Sequence, residues 1–278
     1  MLHRALVATA AVVALATPAA GQLSAPHRAA LEQAAKAPTR APANVARDKY
    51  RNPVETLSFF GVKPTDTVVE IFPGRGWYSE ILAPYLAGRG TYYVAAPDRG
   101  LSGFRALVTA NPQLYGSAKL AIFPVTDPLQ AGVPAGSADV VLTFRNVHNW
   151  LMGEQPYGEE AFRQMYAMLK PGGVLGIEEH RLPESADSAR EKSSGYLKVS
   201  TVRRLAEQAG FRFVGASEIN ANPRDTADHP EGVWTLPPTL RLGEKDREKY
   251  LAIGESDRMT LKFVKPAGPA AATNSAGK

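Results

Sequence analysis

The stretch Val68-Val69-Glu70-Ile71-Phe72-Pro73-Gly74-Arg75-Gly76-Trp77-Tyr78 decides how this chain is read. Apolar and β-branched residues around a single acid read as a buried strand, and Pro73 with the glycine pair ends it before a helix-period segment opens at Trp77. Gly74 and Gly76 remove side chains from the strand-to-helix turn, which lets backbone approach a ligand closely. Glu70 adds an acceptor for an amino or hydroxyl group. The same glycine pair also suits a plain tight turn, so the surroundings have to decide between the two.

Outward from this stretch, strand-like runs recur at 67–72, 91–95, 120–123, 139–144 and 174–177, and helix-period segments at 77–86, 159–169 and 199–209. That alternation predicts an α/β fold, a parallel sheet with helices on both faces. The runs 211–218 and 258–264 alternate like strands with no strong helix of crossover length between them, which predicts a closing antiparallel pair. Between them, 220–242 is rich in Pro, Asp and Arg and too long for a plain turn, which marks a candidate functional loop. Upstream, 25–36 and 44–61 read as helices separated by Ala37, Pro38, Ala41 and Pro42. The expected organisation is a helical cover at 21–53, a main domain at 54–265 and a disordered Ala, Gly, Pro and Ser tail at 266–278.

The 278 residues are 44% hydrophobic and 21% charged, an ordinary globular balance that excludes collagen-like, wholly disordered and coiled-coil chains. Thirty-two basic residues against 27 acidic ones leave a net charge of +5, too modest to argue for a nucleic-acid partner. The absence of cysteine excludes disulfides, thiolate zinc sites, iron–sulfur clusters and cysteine nucleophiles. Arg4 precedes an apolar run at 5–16 that gives way to small residues and Pro18, the pattern of a secretory signal at 1–20 cleaved after Ala16 or Ala19. The run is too short to span a bilayer, which takes about twenty apolar residues. A mature protein without membrane insertion, periplasmic or secreted, is expected, and its oligomeric state is open.

The motifs together resemble the class I S-adenosylmethionine-dependent methyltransferases over 54–266. Glu70 to Gly76 resembles their first motif, Asp127 stands where a residue contacting adenine is usual, and Leu169-Lys170-Pro171-Gly172-Gly173 resembles the turn before their fifth strand. More narrowly, Arg51-Asn52-Pro53, Phe59-Phe60-Gly61-Val62, the Pro73 to Tyr78 turn and Phe144-Arg145-Asn146-Val147-His148-Asn149-Trp150 resemble a group of exported bacterial predicted methyltransferases. The resemblance implies a Rossmann-like, mostly parallel sheet with an antiparallel C-terminal hairpin, S-adenosylmethionine as cofactor and methyl transfer to a small-molecule acceptor. It implies cofactor contacts from Glu70, Phe72, Pro73, Gly74, Gly76, Asp98, Asp127 and Arg145. Phe72 and Pro73 depart from the glycine and small residue common in the wider family, and Ala95 and Ala96 stand where an acid usually accepts the ribose hydroxyls, with Asp98 two residues beyond. A nicotinamide dinucleotide site fits less well, because Ser79 takes the third small position and Ala96 stands near the place of the acid.

Methyl transfer needs an aligned acceptor and, where the acceptor carries a proton, a base. Histidine is the side chain suited to moving protons near neutral pH, and His148, with Asn146, is the expected catalytic pair; its alternative is a histidine that bonds loop backbone. Glu178, Glu179 and His180 follow the fifth strand, on the ligand edge of such sheets, and serve either catalysis or substrate binding or a surface pairing with Arg181. Asp225, Asp228 and His229 match no standard metal set, and no metal is expected. Arg47, Asp48, Tyr50 and Arg51 either select an anionic acceptor or form the charged outer face of an amphipathic helix. The alternative to an enzyme is a binding protein that holds a nucleoside or other small ligand on the same scaffold without turnover.

Overall fold

The computed structural model describes residues 23–268; the expected signal at 1–20 and most of the expected tail lie outside the described residues. The strands are β1 (Thr67–Ile71), β2 (Thr91–Ala95), β3 (Lys119–Ala121), β4 (Ala138–Phe144), β5 (Leu169–His180), β6 (Arg212–Ser217) and β7 (Arg258–Val264). The helices are α1 (Ala25–Ala35), α2 (Pro42–Val45), α3 (Asp48–Arg51) and α4 (Pro53–Phe60) ahead of the sheet, then α5 (Ser79–Leu86), α6 (Ser102–Ala110), α7 (Pro112–Tyr115), α8 (Val147–Leu151), α9 (Gly158–Met168), α10 (Val199–Gln208) and α11 (Arg247–Ile253). No helix among the described residues is long and apolar enough to cross a membrane.

The strands form one seven-stranded sheet in the order β3-β2-β1-β4-β5-β7-β6. The first five are parallel, and β7 enters antiparallel between β5 and β6. This is the expected parallel sheet with a closing antiparallel pair. Alternation along each strand sends neighbouring residues to opposite faces. Val68, Val94, Val140 and Leu142 pack with Leu31, Leu57, Ile81 and Phe104 from α1, α4, α5 and α6. Val69, Ile71, Val141 and Ile177 pack on the other side with Trp150, Phe162, Met165 and Leu205 from α8, α9 and α10. Fully buried side chains such as Phe162 and Met165 each contribute about 1.5–3 kcal/mol relative to exposure. Of the helices expected to form a cover, α1 shares the first of these cores through Leu31, Ala34 and Ala35.

Boundaries differ where local pattern is weakest. The Lys170–Gly173 turn is drawn into β5: Ala138 pairs with Leu169, the register shifts, and Val140 then pairs with Val174. The Gly172 N–H donates to the Lys265 carbonyl at 2.8 Å and the Lys265 N–H to Gly173 at 2.9 Å, so the turn is pinned to the end of β7. Helix α5 starts at Ser79, two residues after the expected Trp77, because the loop turns once more before hydrogen bonding becomes regular. Strand β1 lies between β2 and β4, where the strand order reverses, and open α/β sheets bind ligands beyond the strand ends at such a point.

Candidate functional site

A cavity of about 850 Å³ opens beyond the ends of β1, β4 and β5. Phe72, Pro73 and Gly74 line it from the loop after β1, and Arg145, Asn146 and His148 from the segment after β4. His180 at the end of β5, Arg47 and Arg51 from the helices ahead of the sheet, and Trp234 from the long loop complete the wall.

The loop after β1 is held in a specific shape. Phe72 and Gly74 have φ of 54° and 59°, in the left-handed region, and a Cβ built on Gly74 meets nothing within 4 Å. The Gly74 backbone thus faces open space, which is what close approach of a ligand requires. From the other side, the Asn146 amide donates to the Ile71 carbonyl at 3.0 Å, to the Phe72 carbonyl at 3.4 Å and to Thr143 Oγ1 at 3.1 Å. The Asn146 amide nitrogen thus ties the end of β4 to the glycine loop, and the residue also lines the cavity. Arg145 has φ 60°, a conformation that costs a non-glycine residue of order 1 kcal/mol and recurs at functional sites. Helix α6 backs the loop: a methyl group at Gly103 would run into the Gly74 carbonyl, and backbone cannot yield as a side-chain tip can. Gly103→Ala is expected to lower stability by roughly 1–3 kcal/mol, read as a fall in melting temperature; an unchanged melting temperature would contradict this packing.

Four of the expected cofactor residues lie away from the cavity wall. Glu70 turns into the core, where its carboxylate accepts hydrogen bonds from Ser79 Oγ at 2.7 Å and from the Tyr92 hydroxyl. Burial pushes its carboxyl up, against the pull of those two donors. Through Oε2 it braces β1 against β2 and α5, and the residue does not line the cavity. Gly76 meets Leu107 of α6 and does not line the cavity. Asp98 is exposed and paired with Arg105 at 2.7 Å, and the exposed Asp127 carboxylate accepts the Leu129 N–H at 2.9 Å within its own turn. The side-chain partners of both are local, and neither residue lines the cavity.

His148 is buried yet reaches the cavity. Its Nδ1 lies 2.8 Å from Glu179 Oε1, and its backbone N–H donates to Glu179 Oε2 at 3.2 Å. The wholly buried carboxylate orients the ring with Nδ1 as donor and leaves Nε2 as the basic nitrogen. His180 stands beside it, ring centroids 5.3 Å apart, with Nδ1 2.6 Å from Ser256 Oγ. Burial, then His148, Arg145, Arg258 and Arg51, hold His180 well below the usual histidine range, so it is a neutral imidazole at physiological pH. Ligand atoms of His148, Glu179 and His180 lie within 4.8 Å of one another, but the Glu179 oxygens already serve His148 and the His180 N–H.

Below the histidines lies an ionic network. Glu178 Oε1 accepts from Arg145 at 3.0 Å and Arg258 at 2.9 Å, and Glu178 Oε2 accepts from the Tyr78 hydroxyl at 2.9 Å. Glu255 accepts from Arg47 at 2.6 Å and Arg51 at 3.0 Å. Burial would raise the Glu255 carboxyl, but Arg51, Arg258 and Arg47 outweigh it and bring it down to about 2. Burial and the neighbouring guanidiniums draw Arg51 down to about 9 against the pull of Glu255, so it keeps its charge at neutral pH. Arg47 and Arg51 thus face the cavity and do not form the outer face of a helix. Glu255 and Ser256 precede β7 in a charged run that carries no recognisable motif in the sequence. Asp225 and His229 are buried: Asp225 accepts from Tyr196 at 3.0 Å, lies 2.8 Å from His229 Nε2 and accepts the Asp257 N–H at 2.7 Å. They fasten the long loop over the cavity.

No protein-family model matches the chain, and no curated protein matches its sequence. Solved structures do match. A SAM-dependent methyltransferase from Aquifex aeolicus superposes with a TM-score of 0.53 at 14% identity, over 86% of this chain and 98% of that one. A predicted sarcosine dimethylglycine methyltransferase from Galdieria sulphuraria gives 0.56 at 13% identity, over 90% and 92% of the two chains. The [4+2]-cyclase SpnF gives 0.55 at 14% identity, over 83% and 86%. With the strand order and the antiparallel hairpin, these similarities give the chain the Rossmann-like fold of the class I S-adenosylmethionine-dependent methyltransferases.

Proposed function

We propose that this protein is an S-adenosylmethionine-dependent methyltransferase acting on a small-molecule acceptor, with His148 as the general base. One observation carries the reading: the open backbone of Gly74 and the His148–Glu179 pair meet in a single cavity at the point where strand order reverses. The residues fit the methionyl end of the cofactor, because Gly74 leaves the space a Cβ would fill and Phe72, Pro73 and Arg145 line the same wall. Asp98 and Asp127, expected on its nucleoside, add nothing to that fit. When bound, the cofactor supplies a methyl group on a sulfonium, an electrophile that needs no enzyme nucleophile.

The chain's own residues do the rest. Asn146 keeps the glycine loop against the end of β4, so cofactor and acceptor meet at a fixed separation. His148 Nε2 takes the acceptor proton, and Glu179 at Nδ1 stabilises the imidazolium that forms. Val233, Trp234, Pro237 and Pro238 wall the cavity from the long loop and restrict water. Calorimetric titration with S-adenosylmethionine and S-adenosylhomocysteine tests the reading. Micromolar binding that Gly74→Arg abolishes while the variant stays folded is expected; no binding by the folded wild type would reject the reading.

A second reading, a binding protein without turnover, is favoured by the placement of Asp98 and Asp127, since a nucleoside would lack its acidic partners. The fold alone does not choose, because the SpnF cyclase has it too. The apolar run at 5–16 supports export to the periplasm, where a charged cofactor made in the cytoplasm would itself need delivery. Fusion reporters at Gly268 test location: a cytoplasmic signal would remove both the export proposal and that requirement.

A further inference from the structure

The cavity holds more hydrogen-bond donors and more positive charge than its own acceptors satisfy. Arg47, Arg51 and Arg145 line it, with Arg258 beneath, and among the described residues only Glu178 and Glu255 pair with these four guanidiniums. The acceptors are spent. Glu255 Oε1 serves Arg47, and Glu255 Oε2 serves both Arg51 and Arg258. Glu178 Oε1 serves both Arg145 and Arg258, and Glu178 Oε2 serves Tyr78. Each guanidinium carries five N–H donors, so most of those on Arg47 and Arg145 have no protein acceptor among the described residues. Arg47 Nη2 is buried without a partner, and buried polar atoms are seldom left so. Arg75, exposed at the rim of the same cavity, forms no ion pair among the described residues and adds a further positive charge.

We infer that the acceptor is an anion, a small molecule whose carboxylate or phosphate group is held by Arg47 and Arg145. This rests on the reading of the cavity as the acceptor site and names the class of molecule that enters it. Guanidiniums bind both groups through paired, charge-assisted hydrogen bonds, the geometry that a fork of N–H donors matches. Arg47 is anchored through Nε to Glu255 and Arg145 through Nη1 to Glu178, so each fork is fixed before the ligand arrives. An anion held there lies in the same cavity as His148, so the end of the molecule that carries a titratable proton can be turned toward Nε2.

The test needs no knowledge of the acceptor and no cofactor. The protein is titrated with inorganic phosphate and, separately, with succinate, each against sodium chloride at matched ionic strength, with thermal shift and calorimetry as readouts. At least one anion is expected to raise the melting temperature above the chloride control, and whichever acts identifies the group. Arg47→Gln is expected to weaken that binding about tenfold or more, whereas Arg204→Gln, the same change of charge on α10, leaves it unchanged. Circular dichroism shows whether Arg47→Gln is folded; if it is not, Arg47→Lys, which keeps the charge and loses the fork, is expected to bind several-fold more weakly. No effect of either anion beyond chloride would overturn the inference, as would equal binding by wild type and the folded Arg47 variant. Because the readout contains no S-adenosylmethionine, its failure is separate from failure of the cofactor titration.

Discussion

Replacing Glu178 by alanine is expected to lower the free energy of unfolding by about 3–5 kcal/mol, the cost of stripping one partner from a buried ionic network. Glu178 is wholly buried and is the acceptor shared by Arg145, Arg258 and Tyr78. Its loss strips an acceptor from Arg145 at the cavity wall and from the fully buried Arg258 and Tyr78. The effect depends on pH with a definite sign. Burial pushes the Glu178 carboxyl up, but Arg145, Arg258, Arg51 and the Tyr78 hydroxyl outweigh it, so the folded protein holds it below the ordinary carboxylate range. A carboxyl with a lowered folded pKa contributes stability that is fully present above its unfolded value of about 4.3 and is lost as pH falls through the folded one. Glu255, brought down to about 2, follows the same rule. Urea unfolding at pH 7, 4 and 3 should show the gap between wild type and Glu178→Ala narrowing as the solution is acidified. A gap under 1 kcal/mol at pH 7, or one that widens toward pH 3, would contradict this account of the network.

His148→Ala is expected to reduce methyl transfer by about 10²- to 10⁴-fold, the usual contribution of a positioned general base. Binding of S-adenosylmethionine should change little, because the glycine loop is held by Asn146 and not by the imidazole. Glu179→Gln separates orientation from charge. It keeps the ring's partner but removes the negative charge beside the imidazolium that forms in the transition state, so turnover should fall while the fold and cofactor binding persist. Unchanged turnover in His148→Ala with an acceptor that must lose a proton would assign the histidine a structural role.

The sheet was legible in the sequence because its strands are buried on both faces and read as apolar runs between turn residues, as in Val68 to Phe72 and Asp139 to Phe144. The antiparallel end was legible because no helix of crossover length separates 211–218 from 258–264. The Lys170 to Gly173 turn was not, since its incorporation into β5 depends on pairing with Lys265, which is remote in sequence. Half of the site followed the same logic: Phe72, Pro73, Gly74, Arg145, Asn146 and His148 sit at strand ends that the pattern locates. Asp98 and Asp127 stand at comparable positions, yet their partners Arg105 and the Leu129 N–H are local contacts that spacing does not reveal. For Glu70, a strand covered on both faces gives no alternation signal for what its acid meets, and its bonds to Ser79 and to Tyr92 on the neighbouring strand exist only in the folded sheet. Glu255 and Arg258 had no signal at all, because a network joining residues 47, 51, 145, 178, 255 and 258 exists only once the sheet has closed.

The most direct measurement is a crystal structure of the protein grown with S-adenosylhomocysteine. Electron density for the ligand is expected in the cavity, against the Gly74 backbone and on the same side as Asn146 and His148. Density elsewhere on the molecule, or an empty cavity at a ligand concentration far above its measured Kd, would contradict that placement.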